Sequence, residues 1–305
     1  MRTASERPVT ARAGSGVTYR RGVSGVLDIA VSGGPYALAP GPDGAIWVTL
    51  VQSGEIARIA PDGGLDVFPV HPHSKPAIIV AAPDGALWFT RSGDDRIGRI
   101  AVDGAQREIK LPDGSAPSGL CVGPEGALWF TTTASGTVSR IGADDEVDVV
   151  AVPRGDPTMI TAGPDGALWF TLNRSSAIGR LDMAGTVSVR QTPTPSAGPV
   201  GITATHDDAL WFTETRAGKL GRIPLNEAIQ ELDLPGKPHA VIADQADGVW
   251  VSLCESDQLA RVSADGEVTM IDLPAGSEPR GLAMAADGAL WAALEAGYVV
   301  RLPTT

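Results

Sequence analysis

A chain of 305 residues, 43% of them hydrophobic and 20% charged, has an ordinary globular balance and ample material for a large buried core. Its net charge of -12 speaks against nucleic acid and against an anionic membrane as partners, since both are held by a basic face. No apolar run approaches the ~20 residues that span a bilayer, and the two cysteines, Cys121 and Cys254, fall in different repeats, which suits a reducing, cytoplasmic setting rather than a disulfide framework.

Residues 1–24 carry Arg2, Arg7, Arg12, Arg20 and Arg21 among serine, threonine and glycine. A signal peptide needs an apolar stretch after such a basic start, and none follows. The segment reads as a disordered basic leader ahead of a single folded domain over residues 25–305. The first expected strand, Val26–Val31, has no sequence neighbour to pair with. From Pro35 onward the chain repeats. Seven tryptophans, Trp47, Trp88, Trp129, Trp169, Trp211, Trp250 and Trp291, are spaced by 41, 41, 40, 42, 39 and 41 residues.

Periods near ~40 residues fit propeller blades and helical repeats alike. The local pattern decides between them. Each tryptophan sits in a short apolar run such as ALWFT, preceded by a turn signal such as Pro42-Asp43-Gly44 or Pro164-Asp165-Gly166. Helices would have to carry proline and glycine inside every repeat, which costs them hydrogen bonds and backbone entropy. Each unit instead reads as four strands. The innermost opens at Pro35, Pro76, Pro117, Pro157, Pro199, Pro238 or Pro279. The second carries the tryptophan, the third is of the Ile97–Ile100 type, and the fourth resembles Arg107–Leu111. The last unit stops after its third strand, Tyr298–Leu302, so Val26–Val31 is expected to complete it. The fold class is all-β, a seven-bladed β-propeller whose N-terminal strand closes the ring and removes an open edge. A monomer is expected.

In a propeller the inner strands ring a central channel, so residues beside each proline face one mouth. Large functional side chains gather there in the last two units and the first: Tyr36, His239, Glu278 and Arg280, with Glu295 four residues beyond Trp291. Two carboxylates, a histidine and a tyrosine around one mouth suit a hard-cation site beside an acid/base group. Paired acids with an arginine are equally the signature of a structural salt-bridge cluster. His71 and His73 read as solvated loop residues, Cys121 and Cys254 as small buried hydrophobes, and Asp84-Gly85 with its counterparts as turns rather than metal loops.

The units of the form GPDGALWFT…IGRI, with Pro-Tyr-Ala-Leu at 35–38, Pro-His-Ala-Val at 238–241 and Glu-Pro-Arg-Gly-Leu at 278–282, resemble the streptogramin B lyase (virginiamycin B lyase) family over residues 25–305. The resemblance implies an Mg²⁺-dependent lyase that linearises a small cyclic depsipeptide antibiotic by elimination at its ester bond, and so confers resistance. It implies that Tyr36 and His239 meet the substrate, and that Glu278 and Glu295 hold the metal. It also implies a general-base histidine in a Glu-Pro-His motif, where this chain has Arg280. Guanidinium, with a pKa above ~12, accepts no proton near neutral pH. His239 is then the remaining candidate base. Arg280 also has the option of standing between Glu278 and Glu295 as a fixed cation in the metal's place. A non-catalytic ligand-binding or scaffold propeller is the alternative reading. A lactone hydrolase would want a fuller carboxylate and asparagine cage in the channel.

Overall fold

The computed structural model describes residues 27–302 apart from residues 143, 154, 226 and 247. The expected leader and Val26 lie outside the described residues. What is described forms seven four-stranded antiparallel sheets, six of them built from consecutive strands. Blade 1 runs from the inner strand Pro35–Pro40 to the outer strand Leu65–Pro69, and blades 2 to 6 repeat this plan. Blade 7 takes Pro279–Met284, Leu290–Leu294 and Tyr298–Leu302 from the end of the chain and Leu27–Ala30 from its start. The N-terminal strand pairs from Leu27 opposite Arg301 to Ala30 opposite Tyr298. The described strand ends at Ala30, one residue before the expected Val31. The Val31 N–H donates to the Gly297 carbonyl at 2.9 Å, and its side chain is buried in the core shared by blades 7 and 1.

The sequence pattern accounts for each strand. Proline opens every inner strand, where its missing N–H costs no ladder bond, and the register shifts just after it, as between Pro35 and Leu38. The tryptophan strands are the most buried, and the outer strands are mostly exposed. Bulk is matched across strands. Phe89, Phe170 and Phe212 lie opposite Gly98, Gly179 and Gly221, where any added Cβ would come within 2.3 Å of the ring. In blades 1 and 6 a valine faces alanine instead, Val48 to Ala57 and Val251 to Ala260. No helix among the described residues is long and apolar enough to cross a membrane.

The turn aspartates are structural, as expected. Asp43 accepts from the Trp47 indole at 3.2 Å and from Arg58 Nε at 2.6 Å. Asp84 with Trp88 and Arg99, and Asp165 with Trp169 and Arg180, repeat the arrangement. In blade 3 the acid is Glu125, and the Trp129 indole N–H finds no partner among the described residues.

A second repeated device joins neighbouring blades. The Thr49 hydroxyl accepts from Ala37 N–H at 3.0 Å in its own blade and donates to the Ala77 carbonyl at 2.7 Å in the next. Thr90, Thr131, Thr171, Thr213 and Ser252 do the same. The corresponding residue of blade 7 is Ala293, which has no hydroxyl to offer. Two of these bonds fix the strands of the candidate site, ending on the carbonyls of His239 and Arg280.

Candidate functional site

Blades 6, 7 and 1 bring together the residues singled out in the sequence. Inner strands supply Tyr36, His239 and Arg280, each one residue past its opening proline. Glu278 precedes Pro279, and Glu295 follows the tryptophan strand of the same blade. Their backbones are tied directly, since Glu295 N–H donates to the Glu278 carbonyl at 3.2 Å.

Arg280 organises the carboxylates. Its Nε and Nη2 both reach Glu295 Oε2 at 2.6 Å, and Nη2 stands 3.7 Å from Glu278 Oε2. Glu278 is the more exposed acid, at 57% against 27% for Glu295. Burial opposes the charge on Arg280, but the Glu295 hydrogen bond and charge outweigh it and the guanidinium pKa is raised further.

His239 and Tyr36 meet edge to face, with ring centroids 5.8 Å apart and planes at 73°. Dense protein surroundings push the His239 pKa down to about 4, and the Arg280 charge pushes the same way, with Glu295 opposing. The imidazole is therefore neutral throughout the physiological range. Burial raises the Tyr36 pKa, so the phenol keeps its proton. The site thus holds a neutral imidazole, a neutral phenol and a permanent cation, with one acid locked to that cation.

Mg²⁺ accepts one or two carboxylates and fills its remaining positions with water or substrate oxygens. Glu278 and Glu295 meet that count, but the position they share is taken. A dication on Glu295 Oε2 would compete with two guanidinium nitrogens already 2.6 Å from that oxygen, and like charges held so close repel strongly. No group of three or more metal-ligating side chains forms elsewhere among the described residues. The residues present do not fit a divalent ion in this arrangement.

Sequence reasoning missed what holds Glu278. It sits at φ +48°, where a side chain is strained and where the equivalent positions in blades 1 and 5 carry Gly34 and Gly198. The Asp257 carboxylate over-determines this geometry, accepting from Glu278 N–H at 2.8 Å and from Gly276 N–H at 2.7 Å. A signal was available: LPDGSAP at 111–117 and LPAGSEP at 273–279 are near copies, and Asp95 binds the first as Asp257 binds the second. Cys254 is also closer to the site than expected. It is buried, donates to the Lys237 carbonyl at 3.4 Å, and has its thiol pKa raised by that burial, against the opposing Arg280 charge. His71 and His73 lie exposed in their loop, and Cys121 is buried.

The chain is similar to known proteins over nearly its whole length. It matches the Virginiamycin B lyase family over residues 26–302. It is 66% identical to a virginiamycin B lyase of Mycolicibacterium smegmatis, over 92% of this chain and 100% of that one. A streptogramin B lyase structure superposes with a TM-score of 0.88 at 31% identity, covering 92% of this chain and 97% of the other. A catalytically inactive histidine-to-alanine variant of the Staphylococcus aureus virginiamycin B lyase, solved with quinupristin, superposes at 0.87 with 31% identity, over 92% and 99% of the two chains. With the propeller, its N-terminal closure and the clustering of Tyr36, His239, Glu278 and Glu295 already established, the chain belongs to the virginiamycin B lyase family.

Proposed function

We propose that this protein linearises streptogramin B-type cyclic depsipeptides by elimination. The observation that carries the reading is the edge-to-face contact of His239 with Tyr36 beside the Arg280–Glu295 pair, in a chain of this family. A base must be unprotonated to act, and His239 is unprotonated at neutral pH. In the step itself, His239 takes the Cα proton of the residue whose side chain carries the ester. The C–H electron pair becomes the Cα=Cβ bond. The Cβ–O bond breaks, and its pair leaves on the carboxylate. Tyr36, with its phenol protonated, donates a hydrogen bond and an apolar face to the bound ring.

Its low pKa makes His239 a weak base, so turnover is expected to be slow. The Arg280–Glu295 ion pair favours the second reading, a propeller that binds a ligand without turning it over. Incubation with virginiamycin B or quinupristin, followed by chromatography and mass spectrometry, tests both. Elimination gives an open chain of unchanged mass with a new double bond. Hydrolysis would add one water, which would overturn the mechanism, and intact ring after long incubation would leave the binding module.

A further inference from the structure

We propose that Arg280 is the electrophile of this site, and that its guanidinium does for the leaving carboxylate what a divalent ion would otherwise do, so the protein works without one. The inference rests on the lyase reading above. Three observations carry it. The first is position: Arg280 stands between the two acids, 2.6 Å from Glu295 and 3.7 Å from Glu278. The second is orientation. The Nε and Nη2 side of the guanidinium holds Glu295, while Nη1 has no partner among the described residues and the side chain is 25% exposed. One pair of N–H donors is therefore left for an incoming anion. The third is support. The Ser252 hydroxyl fixes the Arg280 carbonyl at 2.7 Å, and Asp257 fixes the backbone of Glu278. The cation is built in from both flanks.

The chemistry this arrangement supplies is that of a preorganised charge. As the Cβ–O bond breaks, negative charge grows on the departing carboxylate, and a guanidinium already in place stabilises it with hydrogen bonds of the length and geometry it makes to any carboxylate. Glu295 keeps the side chain from swinging away and is not consumed. The proton stays on His239 until product leaves, and no further reactant is needed.

Two measurements on the purified full-length chain decide the matter. The first is Mg²⁺ affinity by calorimetry and by the shift in Tm, which does not depend on turnover. The second is ring opening of virginiamycin B with Mg²⁺ or with a chelator. The expected result is no saturable Mg²⁺ binding and equal rates under both conditions. Arg280→Gln should lose at least a hundredfold in rate without Mg²⁺ and gain saturable Mg²⁺ binding, because the carboxylates are then free. Arg280→Lys, which keeps the charge and guards against a misfolded Gln variant, should stay insensitive to chelator and keep a measurable rate. Saturable Mg²⁺ binding by the native protein, or a rate abolished by chelator, overturns the inference and leaves the lyase reading standing. Absence of ring opening under every condition overturns the lyase reading itself and the electrophilic role with it.

Discussion

Glu214 ends the tryptophan strand of blade 5 at a position where blades 1, 4, 6 and 7 carry Leu50, Leu172, Leu253 and Leu294. It is fully buried, and among the described residues neither carboxylate oxygen has a partner at hydrogen-bond distance and angle, Glu231 being the side chain that bears on it. Its neighbour Glu231 accepts from the N–H and hydroxyl of Thr194 and pairs with Lys219. Burial, and then the Glu231 charge, push the Glu214 pKa up to about 7, with Lys219 opposing. The folded protein therefore keeps a proton that the unfolded chain loses near 4.5. Stability from this residue is full below the lower value and falls as pH rises through the higher one, by roughly 3 kcal/mol in all. His239 acts with the opposite sign over nearly the same window. Its folded pKa of about 4 lies below its ordinary 6.5, so its contribution is full at high pH and lost on acidification. The melting curve of the native protein alone hides both effects. The difference in Tm between native protein and Glu214→Gln isolates one of them. It should be small near pH ~4 and favour the variant by several degrees near pH ~8. Glu214→Leu, which restores the residue of the other blades, should gain at least as much. An unchanged difference across that range would show that Glu214 is ionised in the native state.

At the scale of the element, the strand Leu27–Ala30 has a task out of proportion to its length. It covers the outer edge of Tyr298–Leu302 and leads into Val31, which is 1% exposed in the core joining blades 7 and 1. A chain starting at residue 32 loses the paired strand and that anchor, and exposes a strand edge. It should melt at least ~10 °C lower than the full chain, and a synthetic peptide of residues 25–33 should recover part of the loss by adding back the strand. An unaltered Tm would refute closure by this strand. That the terminus closes the ring was legible from arithmetic on the repeat, because the last unit lacked one strand and the start of the chain had one to spare. The blade plan was legible for the same reason: proline, Asp-Gly turn and tryptophan recur in order. The clustering of Tyr36, His239, Glu278 and Glu295 followed from the ring, since the last units neighbour the first. What stayed hidden lacked a periodic signature. The strain at Glu278 depends on Asp257, a residue from another blade, whereas Arg280 stands between Glu278 and Glu295 as its place in the sequence allowed. The burial of Glu214 was hidden because glutamate reads as a surface residue until the strand around it is placed.

Across the whole molecule, the hydroxyl bonds between blades form a ring with one gap. Six of the seven seams carry a threonine or serine that bridges two blades. The seventh, from blade 7 to blade 1, carries the buried Ala293. By the spacing of the other six, a hydroxyl here would accept from Gly281 N–H and donate to the Tyr36 carbonyl. The gap thus falls on the seam with Arg280 on one bank and Tyr36 on the other. Blade 6 already uses serine at this position, so the smallest change that supplies the missing bridge is Ala293→Ser. One oxygen is added in a packed core, which limits the strain. Two bonds of the neutral kind contribute about 1 kcal/mol each at best, less the desolvation of the hydroxyl, so a net gain of about 1 kcal/mol is expected. The reverse change in a complete seam, Ser252→Ala, should cost about 1–3 kcal/mol, because it leaves the Ala240 N–H and the Arg280 carbonyl without that partner. Denaturant unfolding of the two variants beside the native protein gives both numbers. The account fails if Ser252→Ala costs nothing. Should Ala293→Ser destabilise while Ser252→Ala also does, the blade 7 seam is spaced differently from the other six, and the ring is held there by the N-terminal strand and the Val31 core instead.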